Sequence, residues 1–82
     1  MARSKQFNGE IIRHPHGVTK FKNKIAGGWE LADVFPNYGV EFPNGHKQAK
    51  AFATIQRELG FLAKVFPKIN ATGVYVKNKK KH

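Results

Sequence analysis

The chain contains no cysteine. A disulfide framework and a thiolate metal site are therefore both excluded. Small secreted domains commonly depend on disulfides for stability, so this absence favours a protein of the reducing cell interior. Acidic residues are also scarce, with five Asp and Glu against fifteen Lys and Arg.

Long apolar runs are missing as well. The N-terminal residues 1–5 lead into no apolar segment of the kind that forms a signal-peptide core. No other stretch has the ~20 apolar residues that a membrane-spanning helix needs. We therefore expect a cytoplasmic protein with no membrane partner, associated with the nucleoid if it binds DNA.

The excess of positive charge, formally +10 at pH 7, is the strongest signal in the sequence. It lies in the first and last thirds of the chain. Residues 29–45 carry no Lys or Arg and three acids, namely Glu30, Asp33 and Glu41. A basic surplus of this size is typical of small domains that bind nucleic acid. A polyanion is therefore expected to contact the outer thirds and to avoid the middle.

A chain of 82 residues is long enough for one domain. Hydrophobic residues make up 40% of it, including seven Phe, so it is able to form a core. We expect a flexible basic arm over residues 1–6, a single α+β domain over residues 7–77 and a flexible basic tail over residues 78–82.

The first part of the domain has the pattern of a hairpin. A first strand is predicted over residues 7–13, and a turn at residues 14–17 leads to a second over residues 18–25. In the second strand three lysines alternate with apolar or small polar residues, the two-residue period of a half-buried strand. One face carries Lys20, Lys22 and Lys24, and the other carries Thr19, Phe21, Asn23 and Ile25.

Two more strands are predicted before the helix. A glycine turn at residues 26–28 leads into a strand over residues 29–35, although its apolar spacing also fits a helical turn. The alternation of Tyr38, Val40 and Phe42 predicts a fourth strand.

The principal helix is predicted over residues 46–66. Apolar residues recur there at intervals of three and four, as on the core-facing side of a surface helix; they are Phe52, Ile55, Leu59, Leu62 and Phe66. At about 100° per residue the opposite side carries Lys47, Lys50, Arg57 and Lys64. Gly60 is typical of a helix end, so we expect a break near it and a short second helical turn before Pro67. A loop over residues 68–73 and a short strand over residues 74–76 follow.

Together these elements predict an α+β fold. A small antiparallel sheet of about four to five strands packs against one principal C-terminal helix, in two layers.

Two rows of basic side chains are candidates for contact with phosphates. The strand row, Lys20, Lys22 and Lys24, has a spacing of about 7 Å. The helix row consists of Lys47, Lys50, Arg57 and Lys64, and the tail adds Lys79, Lys80 and Lys81. Because a helix and a sheet that pack together expose opposite sides, one ligand contacts one row, and we favour the strand row.

Aromatic residues bear on the kind of nucleic acid. Single strands are held by bases that stack on exposed rings, and Trp29 and Tyr38 are the candidates. Both lie in the acid-containing segment, which weakens stacking as their role. Double-stranded DNA is therefore favoured over RNA and over single strands.

Nothing in the sequence indicates a cofactor, a metal or a small-molecule substrate. The histidines, His14, His16, His46 and His82, are scattered, whereas a zinc site needs three or four converging ligands. No phosphate-cradling glycine motif, paired carboxylates or nucleophile motif is present. We expect a non-catalytic nucleic-acid-binding domain, a regulator or an architectural protein.

Other functions remain open. The first alternative is a small inhibitor or adaptor that binds an acidic partner protein, with residues 29–45 supplying aromatic anchors. A ribonucleoprotein component and a small ribonuclease are less favoured. In a ribonuclease, His14, His16, His46 or Glu10 would have to act as the general base.

Overall fold

The computed structural model of the chain describes residues 9–78. Its elements are β1 (Gly9–His14), β2 (Gly17–Lys22), β3 (Lys24–Ile25), β4 (Trp29–Pro36), α1 (Gly45–Glu58), β5 (Phe61–Lys68) and β6 (Ala71–Asn78). Within that range no helix combines the length and the apolar character needed to cross a membrane. The expected arm at 1–6 and the tail residues 79–82 lie outside the described residues.

The strands form two antiparallel sheets. β1 and β2 make a hairpin, and the other four pair in the order β3, β4, β6, β5. The α+β class with one principal helix is confirmed, but the helix precedes two strands and the sheets number two where one was expected. On β6, Val74 packs with the helix and Tyr75 with the hairpin. The helix and the hairpin therefore cover opposite sides of the central sheet, here named the helix side and the hairpin side.

Phe21 holds the hairpin on the sheet. Its side chain is fully buried, and its ring lies so close to Gly73 that a Cβ atom there would stand 2.6 Å from a ring carbon. Thr19 Oγ1 donates a hydrogen bond to the Ile69 carbonyl at 2.7 Å, and Tyr75 Oη donates to the Lys22 carbonyl at 2.7 Å. Close packing at a glycine and two hydrogen bonds thus fix β2 along β6.

A β-bulge explains the ambiguous pattern of the strand that follows the glycine turn. The register of β4 against β6 shifts between Leu31 and Asp33. A bulge inserts one extra residue and changes which side chains face the core. Leu31 and Val34 consequently both reach the hairpin side, three residues apart as in a helix, while Phe35 packs on the helix side. The strand prediction for residues 29–35 is confirmed.

The fourth strand predicted from Tyr38, Val40 and Phe42 is wrong. The segment is a tight turn closed by one isolated bridge between Tyr38 and Phe42. Gly39 has φ 62°, and Val40 is 93% exposed. Alternating aromatic residues imitate a strand here, although the rings of Tyr38 and Phe42 contact each other, with centroids 5.1 Å apart.

The helix ends eight residues earlier than the predicted 46–66 range. Gly60 adopts φ 101°, a conformation that favours glycine, and a break at this position was expected. The segment after it is the strand β5 and not a second helical turn. Phe61 to Phe66 includes β-branched and aromatic residues that suit a pleated surface. Backbone pairing of β5 with β6 therefore decides the conformation of this segment. The helical spacing of its apolar residues is coincidental.

The predicted apolar stripe of the helix is also wrong in part. Small residues, Ala49 and Ala53, are fully buried, and Phe52 packs beside them. Ile55 and Leu59, which the stripe included, are 51% and 66% exposed. Alanines let the helix axis come close to the sheet, a possibility that a search for large apolar residues overlooks.

The predicted loop at 68–73 shrinks to a turn at Ile69 and Asn70, because β5 continues to Lys68 and β6 begins at Ala71. Asn70 supplies the positive φ, 61°, that such a tight turn needs. The last strand is confirmed and is longer than expected, with Val74 and Val76 both on the helix side.

Candidate nucleic-acid interface

β2 carries its lysines on the outer side of the hairpin. Thr19 is 6% and Phe21 0% exposed, and both point to the central sheet. Lys20 and Lys22 alternate with them and are exposed. Arg13 of β1 pairs with the residue before Thr19 and points to the same outer side. The predicted alternation is therefore confirmed for Lys20 and Lys22.

Lys24 does not continue this row, so that part of the prediction is wrong. The chain bends after Lys22, and β3 joins the central sheet by pairing with β4. Lys24 stands opposite Glu30, which stands opposite the helix-side residue Val76. Its Nζ lies 3.9 Å from Glu30 Oε2. The change of sheet turns Lys24 to the helix side, where a carboxylate accompanies it.

Lys64, predicted in the helix row, lies in β5 on the hairpin side. Its ladder partner Tyr75 packs with the hairpin, and paired residues share a face. Lys64 Nζ is 4.5 Å from the centroid of the Trp29 ring, and Lys77 Nζ is 5.5 Å from it. The structure thus brings together a lysine predicted on the helix and an aromatic residue predicted as a contact.

Trp29 is half-buried, and its ring makes cation–π contacts with both of these lysines. An ammonium group is attracted to the face of an indole ring by about 0.5–1 kcal/mol at exposed sites. This contact positions the ammonium groups of Lys64 and Lys77 near the same ring. It needs no salt bridge to a carboxylate, so it does not occupy the N–H donors of the lysines. Each ammonium carries three donors, so most of them remain for an anion.

Lys68 extends the basic surface toward β2. Its Nζ donates a hydrogen bond to the Lys20 carbonyl at 2.9 Å and lies 4.8 Å from the Phe21 ring centroid. Sequence reasoning missed Arg13, Lys68 and Lys77 as site residues. If β5 had been recognised as a strand, its two-residue period would have placed Lys68 on the same face as Lys64.

These residues form one basic surface, here named the lysine face: Arg13, Lys20, Lys22, Lys64, Lys68 and Lys77, with Trp29. Three of the five acids lie on the helix side, across the central sheet from it. Glu30 and Asp33 pair with helix-side residues of β6, and Glu58 belongs to the helix. Glu10 pairs with Phe21 and so points to the inner side of the hairpin, while Glu41 lies in the turn near Val40.

The remaining helix-row residues, Lys47, Lys50 and Arg57, are exposed on the helix side. Arg57 Nη2 donates a hydrogen bond to the Ala63 carbonyl at 3.0 Å, which holds the guanidinium against the edge of β5. These cations therefore lie across the central sheet from the lysine face, as the prediction of separate rows required.

Tyr38 does not lie on the lysine face as an open ring. Its hydroxyl donates to the Arg13 carbonyl at 3.1 Å, and its ring contacts those of His14 and Phe42 at centroid distances of 6.0 and 5.1 Å. These contacts link the turn before the helix to the hairpin. The Tyr38 side chain therefore contributes to tertiary packing in this arrangement.

His14 has a defined hydrogen-bond environment. Thr19 Oγ1 donates its proton to the Ile69 carbonyl, so it accepts from His14 Nε2 at 2.9 Å. His14 Nδ1 accepts from Asn70 Nδ2 at 3.1 Å and from the His16 backbone N–H at 3.2 Å. Both ring nitrogens are therefore used within the protein, with the proton on Nε2.

No group of three or more His, Asp or Glu residues within 9–78 converges to hold a metal ion. Burial raises the pKa of the Tyr75 hydroxyl above its ordinary value. The tail residues Lys79, Lys80 and Lys81 lie outside the described part of the chain. They follow Asn78 directly in the sequence.

No protein-family model, curated protein or solved structure matches this chain.

Proposed function

We propose that the protein binds nucleic acid without catalysing a reaction, and that double-stranded DNA contacts the lysine face. The observation that carries the proposal is the separation of charge across the fold. Basic side chains from β1, β2, β5 and β6 share one surface, while Glu30, Asp33 and Glu58 lie on the helix side. A surface of one sign attracts a polyanion and releases its counterions on contact.

Two features favour a duplex over a single strand. The Trp29 ring already holds two ammonium groups, and the Tyr38 hydroxyl is bound to the hairpin backbone. Base stacking would have to displace these contacts, whereas phosphates meet the lysines as they stand. The tail residues Lys79, Lys80 and Lys81 remain part of the proposal as further phosphate contacts.

The test is fluorescence anisotropy with a labelled duplex at several salt concentrations. If the six cations of the lysine face each neutralise one phosphate, log K falls with log salt at a slope of about −5. We expect the double substitution Lys64→Gln with Lys77→Gln to reduce that slope by about 2, since each lost phosphate contact removes about one unit.

Lys24→Gln is the control for the position of the charge, because it removes one lysine charge from the helix side, against two from the lysine face in the double variant. It should leave the slope nearly unchanged. Salt-independent binding would contradict the proposal, and so would an equal loss of affinity in the control. A comparison of duplex DNA, duplex RNA and single-stranded DNA in the same assay tests the preference for DNA duplexes.

A second function has one observation in its favour. Val40 is 93% and Phe42 37% exposed in the turn before the helix, beside Glu41. Such side chains would suit an inhibitor or adaptor that docks on a partner protein. The other aromatic residues of segment 29–45 do not join them, since Trp29 lies on the lysine face and Phe35 packs with Phe52. This alternative would be favoured if the biological activity of the protein is lost in Val40→Asp. The same activity should then be retained in the double variant Lys64→Gln with Lys77→Gln.

We further propose a cytoplasmic, nucleoid-associated location. The lack of cysteine is the feature that supports it.

A further inference from the structure

A groove runs along the helix on the side away from the lysine face. The groove has a volume of about 300 Å³ and lies between α1 and β5. Its lining residues are His46, Lys50, Thr54, Arg57, Val65 and Pro67. Two cations, an imidazole and a hydroxyl therefore face one concave site, and no carboxylate lines it.

Helical geometry explains why the four helix residues converge. Their spacings of four, four and three residues keep them within about 80° of one another around the axis. The buried face of the helix, with Ala49 and Ala53, lies next to them around the axis and packs on the sheet. The groove thus forms where the polar flank of the helix meets the edge strand β5.

The chemistry of the groove suits phosphate. Arg57 donates one N–H to the Ala63 carbonyl at 3.0 Å, which fixes the position of the guanidinium. The other N–H donors of the guanidinium remain for a ligand. Lys50 adds a mobile ammonium, one helical turn from Thr54, whose hydroxyl donates to the Lys50 carbonyl at 3.1 Å. A guanidinium held in place suits the binding of phosphate oxygens, and the Lys50 ammonium lines the same groove.

A second hollow continues the groove past the start of the helix. It has a volume of about 360 Å³ and shares His46 and Lys50 with the first. Its other lining residues are Asn37, Pro43, Asn44 and Lys47. From His46 to Arg57 the helix rises about 17 Å, a length over which one nucleic-acid strand carries several phosphates. The two hollows together are therefore long enough to accommodate several phosphates of one strand.

This groove and the lysine face lie on opposite sides of the central sheet. The central sheet lies between them, with the helix packed on Val74 and the hairpin packed on Tyr75. DNA is stiff, with a persistence length of about 50 nm, and bending it around a small domain is costly.

We propose that the groove binds the phosphates of a second nucleic-acid segment, so that one protein molecule links two duplexes. The inference rests on the proposed function of the lysine face and assigns an architectural role to the protein.

The test is a capture assay with one duplex fixed to beads and a second, fluorescent duplex in solution. The wild-type chain should retain the fluorescent duplex on the beads. Lys50→Glu places a carboxylate in the groove and should lower that capture at least ~10-fold, while the affinity for a single duplex changes by less than about threefold. Lys24→Glu is the matched control, because it makes the same change of charge on the helix side outside the groove, and it should capture normally.

Three results would overturn the linking proposal. Wild-type protein that binds one duplex but captures no second one would refute it and leave the proposed function standing. Capture that survives Lys50→Glu would mean that paired copies of the lysine face link the duplexes. Equal losses in Lys50→Glu and Lys24→Glu would mean that net charge alone is responsible.

Failure of the wild-type protein to bind even one duplex would instead refute the proposed function. The groove is then tested by itself with inorganic phosphate, followed through the backbone amide signals of Lys50, Thr54 and Arg57. Shifts that vanish in Lys50→Glu would establish the anion site, and their absence in the wild type would exclude it.

Discussion

Replacing Phe21 and Gly73, singly and together, measures how the hairpin is held on the central sheet. Phe21 is fully buried and its ring lies directly over Gly73. A Cβ atom at Gly73 would stand 2.6 and 2.7 Å from two carbons of that ring. Gly73 does not have a positive φ, so the backbone itself accepts alanine. Any penalty at this position therefore comes from the ring.

The expected free energies differ in sign between two backgrounds. In the wild type, Gly73→Ala overpacks the contact at a cost of about 1–3 kcal/mol, offset by about 0.5–1 kcal/mol because alanine is the better strand residue. Phe21→Ala should cost about 3–5 kcal/mol by opening a cavity. Once the ring is gone, Gly73→Ala should stabilise the protein by about 0.5–1 kcal/mol, since the new methyl group enters empty space.

The assay is urea unfolding followed by circular dichroism on the four proteins of the cycle. A domain of 82 residues has a free energy of unfolding of about 4–12 kcal/mol, so Phe21→Ala leaves little stability to measure. Phe21→Leu is the substitute background, because it also withdraws the ring from Gly73. If Gly73→Ala has the same effect with and without the ring, then Phe21 does not rest on Gly73, and our account of the hairpin fails.

Two further predictions concern single residues. Tyr75→Phe should lower stability at neutral pH by about 1 kcal/mol, through loss of the hydrogen bond to the Lys22 carbonyl. Because burial raises the pKa of Tyr75 above its ordinary value of 10.0, the unfolded chain ionises first as pH rises past 10, and the wild type loses stability that the Phe variant keeps. Urea titrations from pH 7 to 11 should show the gap narrowing, and a constant gap would contradict this. Gly60→Ala should lower stability by about 1–3 kcal/mol through backbone strain alone, since no heavy atom of residues 9–78, apart from the two adjacent residues, lies within 4 Å of the added Cβ. A thermal melt checks this, and an unchanged melting temperature would refute it.

Local patterns predicted the elements that have a clear short-range signal in the sequence. The alternation around Phe21 identified β2, and the glycines at residues 27 and 28 identified the turn before β4. The helix was predicted to start at residue 46, one residue after its observed start at Gly45, and Gly60 marked its end. Prediction failed for β5, because Leu62 and Phe66 happened to continue a helical spacing. Only pairing with β6, formed after the turn at Asn70, makes that segment a strand.

The candidate site was predictable in part for the same reason. Lys20 and Lys22 were identified from the strand period, and Trp29 from its type and place. Lys64 was selected for the wrong element and Lys68 and Lys77 were not selected, because their faces depend on the register of β5 and β6. Lys24 was placed on the wrong side, since the bend before it transfers the chain to the other sheet.

The net charge, the lack of thiol chemistry, the α+β class and the separation of basic segments from an acidic one can all be read from composition and short-range periodicity. Which cations share a surface depends on contacts between distant segments, because the register of β5 against β6 and the packing of the hairpin set where those side chains point. Tertiary structure also decided that the hairpin covers the sheet, through a ring resting on a glycine 52 residues away in the chain.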